Sequence, residues 1–359
     1  MDLTKKEIAI VAITKNGIEI ANKLKDAFDA ADIFAPSKFL NANLPVIYFQ
    51  EPVSQKMGYL FSSYSSLILI FSLGAAIRLF APYLKDKKTD PAVIVIDDAA
   101  KFVISALSGH LGGANELALK ISSFLGSVPV VTTAADVNKT IPVDLIGKKL
   151  GWVIENYENV TKTSAMMVNE EKIGIYQDGG EKNWWNLDEL PKNVDIVNDI
   201  NDLLNDDYKA SIVITDKLLS DPMLLKKSVI IRPKTLVVGI GLHWQTTKEK
   251  IENGIITVLD ENKLSLKSVK VISSLDRGKP VKGLDEFCKE RGLSTLLFSK
   301  ERLGSVSVPN PSEIVEKYEG TYSVSEASSL LASGGVLIVP KRKFPPDLTV
   351  AISRVVTSN

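Results

Sequence analysis

Ser108-Gly109-His110-Leu111-Gly112-Gly113-Ala114-Asn115-Glu116 gathers a hydroxyl, an imidazole, a carboxamide and a carboxylate around one glycine-rich bend. These are the groups that general acid–base chemistry uses, and glycines let backbone N–H groups approach a ligand closely. A helix starting beside them would add unpaired N–H donors, which suits an anion or a developing oxyanion. Each glycine taken alone is equally well explained as tight-turn chemistry, and a lone loop histidine is more often a hydrogen-bonded surface residue than a catalyst. The convergence of four polar types on one bend, including one of the two histidines in 359 residues, favours the functional reading. Ser108 as a covalent nucleophile is disfavoured, because no base and acid stand at triad-like positions around it.

The elements that position these groups are legible on either side. Val93–Asp97 is a β-branched run after Pro91 and predicts a buried strand; Val103–Leu107 predicts another, ending at Ser108. From Ala114, apolar residues fall at Leu117, Ala118, Ile121 and Leu125, the spacing of one helical face. The bend is therefore expected where a strand gives way to a helix, and the segment closes on Thr132-Thr133-Ala134-Ala135-Asp136.

Upstream, Ile8–Ile13, Ile33–Ala35, Val46–Phe49 and Ser66–Phe71 read as strands alternating with helical stretches. This alternation predicts a parallel sheet covered on both faces, with ligands beyond the carboxyl ends of its strands. Thr14 and Gly17 are read first as a turn and helix cap, second as an edge of the site. Arg78 is equally a solvated charge and a carboxylate clamp, and Lys85–Lys88 is a solvated connector that could also meet an acidic substrate.

The chain suits two or three domains, and its 43 basic and 43 acidic residues give no global electrostatic case for nucleic acid or an anionic membrane. A single cysteine, Cys288, excludes an intrachain disulfide and a cysteine zinc cluster, and it reads as an inert core residue. With no signal peptide and no apolar run near spanning length, a cytoplasmic enzyme or binding protein is expected. The expected organisation is a Rossmann-like three-layer α/β/α domain over residues 1–150, a middle linking or capping region over 151–233, and a second α/β domain over 234–359. The acidic run at 199–207 reads as a solvated face. Leu236–Gly241 reads as a strand with two glycines, lacking the third glycine of a dinucleotide turn, and a capping box is expected at Ser323 and Glu326.

The ordered segments LKDKKTDP, VIVID, SALSGHLGGANELA and PVVTTAADVN resemble the N-terminal domain of the CbiG family of cobalamin biosynthesis, the cobalt-precorrin-5A hydrolases. GIG at the strand end, PNPSEIVE, SVSEASSLLASGG and LIVPKRK resemble its C-terminal domain. Three departures stand out: Ala135 where a second threonine is expected, Leu242-His243-Trp244 in place of Cys-Arg-Arg, and Leu275-Asp276-Arg277 in place of a lysine-containing segment.

The resemblance implies hydrolysis of a δ-lactone on a cobalt-bearing corrinoid, with a two-carbon unit leaving as acetaldehyde. The cobalt belongs to the substrate, so no protein cofactor or metal site is expected. Within that reaction His110 would be base or acid, with Glu116 and Asp136 as further proton carriers. Ser108, Gly109, Gly112, Gly113, Asn115, Arg78, Lys85, Thr132 and Thr133 would bind substrate, joined by Gly239, Gly241, Asn310 and Lys341 of the second domain. A non-catalytic corrinoid-binding or scaffolding protein is the alternative. An S-adenosylmethionine-dependent methyltransferase is a third possibility, but a glycine turn followed by an acidic ribose partner is not evident. The expected partner is a small-molecule corrinoid, with no nucleic acid or membrane, and a homodimer is left open.

Overall fold

A computed structural model of the chain describes residues 5–86, 89–133, 140–185, 189–311 and 322–356. Asp136, Lys87, Lys88 and most of the PNPSEIVE segment lie outside the described residues. The chain divides into two compact units, Met1–Leu145 and Ile146–Asn359.

The first unit contains a seven-stranded sheet. Its elements run β1 (Lys6–Ala12), α1 (Lys15–Lys25), β2 (Asp32–Pro36), β3 (Val46–Phe49), α2 (Val53–Ser63), β4 (Tyr64–Ile70) and α3 (Leu73–Phe80). β5 (Ala92–Ile96), β6 (Phe102–Leu107), α4 (Ala114–Leu125) and β7 (Val128–Val130) follow, and the spatial order is β3-β2-β1-β4-β5-β6-β7. Successive strand residues face opposite sides. Ile10, Ala12, Ile94 and Ile96 pack with Leu24 of α1 and Ala118 and Ile121 of α4, whereas Ala9, Val11, Val93 and Val95 pack with Leu60 of α2 and Phe80 of α3. Both faces are thus covered, which gives the three-layer arrangement and explains why the runs Ile8–Ala12, Leu67–Ile70 and Ala92–Ile96 are apolar at every position.

One strand departs from the all-parallel expectation. β6 pairs antiparallel with β5, Val93 opposite Leu107 and Ile96 opposite Val103. The connection from Asp97 to Lys101 is too short for a crossover, so the chain must turn back. Asp97 folds this turn by accepting from the N–H groups of Ala99 at 3.2 Å and Phe102 at 2.6 Å. The bend after β6 consequently lies at the amino edge of β5, while Thr14, Gly17 and Gly74 lie at its carboxyl edge. Thr14 caps α1 by accepting from Gly17 N–H at 2.9 Å, its first reading.

The region read as linking or capping carries a sheet of its own. β8 (Val153–Ile154), α5 (Glu158–Val168), β9 (Ile173–Gln177), β10 (Val194–Val197), β11 (Ala210–Ile214), α6 (Pro222–Lys227) and β12 (Ser228–Arg232) form a sheet in the order β10-β9-β11-β12-β8. Only β8 runs antiparallel to its neighbour. Asp199 of the acidic run caps the short helix at Ile200–Leu204.

The third sheet has the order β15-β14-β13-β17-β16, built from β13 (Leu236–Leu242), β14 (Val269–Leu275), β15 (Thr295–Phe298), β16 (Val336–Phe344) and β17 (Leu348–Arg354). α7 (Lys248–Glu261) and α8 (Lys282–Arg291) cover one face through Ile251, Ile255, Leu284 and Phe287. Cys288 is in this core; burial, reinforced by the charge of Asp285, pushes its thiol from 9.0 up to about 12, and it stays protonated and inert. α9 (Lys300–Gly304) precedes α10 (Val324–Ser333), which lies across the opposite face.

Gly239 and Gly241 sit inside β13 rather than after it, on the face that α10 covers. A Cβ at Gly239 would stand 1.9 Å from Ser325 O and 2.8 Å from Ser329 N. The helix can approach so closely because its inner stripe is Ser325, Ser328 and Ser329, all fully buried. Gly239→Ala must push the helix backbone away and is expected to cost about 1–3 kcal/mol, read as a lower denaturation midpoint. An unchanged midpoint would contradict this packing.

Candidate functional site

β6, the bend, α4 and β7 form one strand–helix–strand unit, since β6 and β7 are parallel. Ser108 leaves β6 in the left-handed region at φ 55°, and its hydroxyl donates to Asp90 O at 3.1 Å. Gly112 faces Ser108 so closely that a Cβ would lie 2.5 Å from Ser108 Cβ, and Gly113 takes φ 85° at the helix start. Both positions require glycine for steric reasons.

The bend closes largely on itself. Gly113 N–H donates to His110 O at 3.1 Å, Ala114 N–H to Ser108 O at 3.2 Å and Asn115 N–H to Gly109 O at 3.0 Å. Three of the amides at the helix start are therefore committed to the loop. Among the described hydrogen bonds none begins at the N–H of Gly109 or Gly112, so the bend itself offers these two as donors. Gly112 is exposed, while Ser108, Gly109 and His110 are half-buried, leaving the bend accessible from solvent.

Asn115 is enclosed, at 6% exposure. Its Oδ1 accepts from Ser105 Oγ at 2.6 Å and its Nδ2 donates to Thr133 Oγ1 at 3.0 Å. It fastens β6 and the segment after β7 to the first turn of α4, and so supports the bend from beneath. Glu116 and Thr132 are exposed on the same unit. Lys85 approaches through its backbone, whose N–H donates to both carboxylate oxygens of the buried Asp90 at 3.2 and 3.1 Å. Asp90 thus joins the Lys85 segment to Ser108. Arg78 is exposed on α3, with Nη1 donating to Gly74 O of the same helix at 3.0 Å, and none of these contacts brings it to the bend.

His110 meets a residue that no local pattern indicates. Its Nδ1 lies 3.8 Å from Asp144 Oδ1, with side-chain exposures of 13% and 14%. Asp144 belongs to a single helical turn, Val143–Leu145, 34 positions along the chain from His110, arithmetic that hides the pair from any spacing motif.

In the second unit, Asn310 and Lys341 do come together, around the fully buried Glu326. The Glu326 carboxylate accepts from Asn310 N–H at 3.2 Å, Asn310 Nδ2 at 2.8 Å and Lys341 N–H at 2.9 Å. Lys341 Nζ donates to Asn310 O at 2.6 Å, and burial pulls its pKa below the usual lysine range. The Lys341 amide is available because the β16–β17 register shifts between Val339 and Arg342, next to Pro340. Ser323 Oγ does accept from Glu326 N–H at 3.5 Å, but the Glu326 side chain serves this distant cluster. Gly239 and Gly241 are covered by α10, which gives them a packing role. Among the described residues no three His, Cys, Asp or Glu side chains are grouped to hold a metal. Nor is any helix among them long and apolar enough to cross a membrane.

Family models described as cobalamin synthesis G N-terminal, cobalamin biosynthesis central region and cobalamin synthesis G C-terminus match residues 55–136, 141–233 and 236–353. The chain is 42% identical over 353 residues to the cobalt-precorrin-5A hydrolase of Priestia megaterium, covering 97% of this chain and 94% of that one. It is 30% identical over 349 residues to the cobalt-precorrin-5A hydrolase of Salmonella typhimurium, covering 94% and 95%. A solved cobalamin biosynthesis protein G homolog from Sulfolobus solfataricus aligns over 98% of both chains at 24% identity and a TM-score of 0.39. The bend from Ser108 to Glu116 lies inside the N-terminal match, and Asn310, Glu326 and Lys341 lie inside the C-terminal one. On likeness running through all three segments, the chain belongs to the CbiG family of cobalamin-synthesis proteins.

Proposed function

We propose that the chain is a cobalt-precorrin-5A hydrolase, opening the corrinoid δ-lactone with water and releasing acetaldehyde. The observation that carries this is its 42% identity, across nearly the whole of both chains, to a hydrolase of that name. The cobalt enters and leaves with the substrate.

In this reading the bend of the first unit does the chemistry. Water adds to the lactone carbonyl carbon as His110 takes its proton, and the carbonyl oxygen becomes an oxyanion facing the N–H groups of Gly109 and Gly112. When the tetrahedral carbon collapses, the ring C–O bond breaks and the departing oxygen takes the proton back as a hydroxyl. Loss of that hydroxyl proton, to His110 or Glu116, forms the aldehyde C=O while the adjacent carbon–carbon bond breaks, leaving its electron pair on the macrocycle. Ser108 lines the bend, and Asn115 keeps it in shape. Lys85 and Thr132, exposed around the same edge, would meet peripheral carboxylates or amide-like groups of the ring; Arg78 would do so only from the face of α3.

The test uses the full chain under anaerobic conditions with cobalt-precorrin-5A, trapping the volatile aldehyde. One acetaldehyde per corrinoid consumed is the expected result. A corrinoid that binds and is recovered unaltered would overturn it in favour of a non-catalytic corrinoid-binding protein.

A further inference from the structure

We infer that Asp144 is a positioning residue for His110, setting which imidazole nitrogen carries the proton. The inference rests on the reading that His110 transfers protons at the bend. Val143, beside Asp144, is fully buried and Ile141 is 1% exposed, so the turn bearing the carboxylate is anchored in the core rather than free to drift. Its Oδ1 lies 3.8 Å from Nδ1 of His110, an ion-pair distance once the ring is protonated. Pairs of this kind commonly tighten only with substrate in place.

The physical consequence is specific. A carboxylate beside Nδ1 favours the tautomer with the proton on that nitrogen, which leaves the Nε2 lone pair as the acceptor. The same charge stabilises the imidazolium that forms when His110 takes the water proton. Among the described residues, other charged groups of this region include Asp90, which accepts from Ser108, Glu116 on the first turn of α4, and Lys85. Asp90 is engaged by the Lys85 amide, and among the described ion pairs Asp144 is the carboxylate recorded against the ring.

Asp144→Asn keeps the shape and removes the charge. The chain has two histidines, so imidazole resonances can be followed by NMR in the full protein, with His243→Gln used to assign them. Ring nitrogen shifts in Asp144→Asn should show the His110 proton moving from Nδ1 towards Nε2. Asp144→Glu, which restores the charge, should return it to Nδ1. This readout needs no substrate. Acetaldehyde release by Asp144→Asn should lose about tenfold in kcat with little change in KM. An unmoved tautomer overturns the pairing whatever the activity. A moved tautomer supports the pairing, and if His110→Ala then releases acetaldehyde at the wild-type rate, it is the catalytic reading that falls.

Discussion

His110→Ala loses about 10²- to 10⁴-fold in acetaldehyde release while the bend keeps its shape. The fold should survive because the bend is closed by main-chain groups: Gly113 N–H reaches His110 O, a contact the substitution retains. Gly112 and Gly113 fix the backbone path by their own conformations, and Asn115 clamps it from below through Ser105 and Thr133. What disappears is a half-buried imidazole near the Gly109 and Gly112 amides. Corrinoid binding, measured by equilibrium titration, is expected to stay within a few-fold of wild type, because the Gly109 and Gly112 N–H groups remain in place. Acetaldehyde release at an undiminished rate would remove His110 from the chemistry. A collapse of binding as well as rate would make it a contact residue instead. Glu116→Gln separates the second proton carrier: Glu116 is exposed at the helix start, and its loss should be several-fold milder than that of His110.

How much of this was readable beforehand depends on the range of the interactions concerned. The carboxyl halves of β1 and β4 and the whole of β5 are continuous apolar runs because both of their faces are buried, and such runs announce themselves. The bend was legible for a similar reason, since a β-branched run, positive-φ positions and a periodic helix are all local features. The direction of β6 was harder. Hydrophobic pattern says nothing about strand sense; the signal was the short link from Asp97 to Lys101, and the consequence is that the bend and the Thr14 cap stand at opposite sheet edges. Gly239 and Gly241 illustrate another limit. Glycines near a strand end look like a turn, but here they accommodate a serine stripe about ninety residues later in the chain. Glu326 satisfied a local capping pattern, while its carboxylate is claimed by Asn310 and Lys341 from either side in sequence. Asp144 shows no pattern at all, because a charge that acts on a ring across the fold leaves no periodic trace.

Asp216 is the residue whose loss should damage the second unit most. Asp216 is 1% exposed, in the segment following β11, and its carboxylate takes a two-pronged contact from Arg354 at the end of β17, Nε at 2.8 Å and Nη2 at 2.9 Å. Thr235 Oγ1 donates to the same carboxylate at 2.7 Å, and Asp216 O accepts from Ser265 N–H at 2.8 Å. One residue therefore binds the middle sheet to the adjacent strands β13 and β17 of the third, where Leu236 pairs with Arg354. Asp216→Ala strands the guanidinium and a buried hydroxyl together. Breaking a buried pair from one side costs about 3–5 kcal/mol, and since the Arg354 side chain keeps 31% exposure and can partly rehydrate, the low end applies. For a unit of this size, about 3 kcal/mol lowers Tm by roughly 6–12 °C. Arg354→Ala should cost less than Asp216→Ala, because water can reach the place of the guanidinium more readily than that of the carboxylate. The double variant should then fall short of the sum by more than about 1 kcal/mol, the signature of direct coupling. Additive losses would mean that the two side chains stabilise the sheets independently, and a Tm within about 2 °C of wild type for Asp216→Ala would show that the third sheet is held to the middle one by its apolar contacts alone.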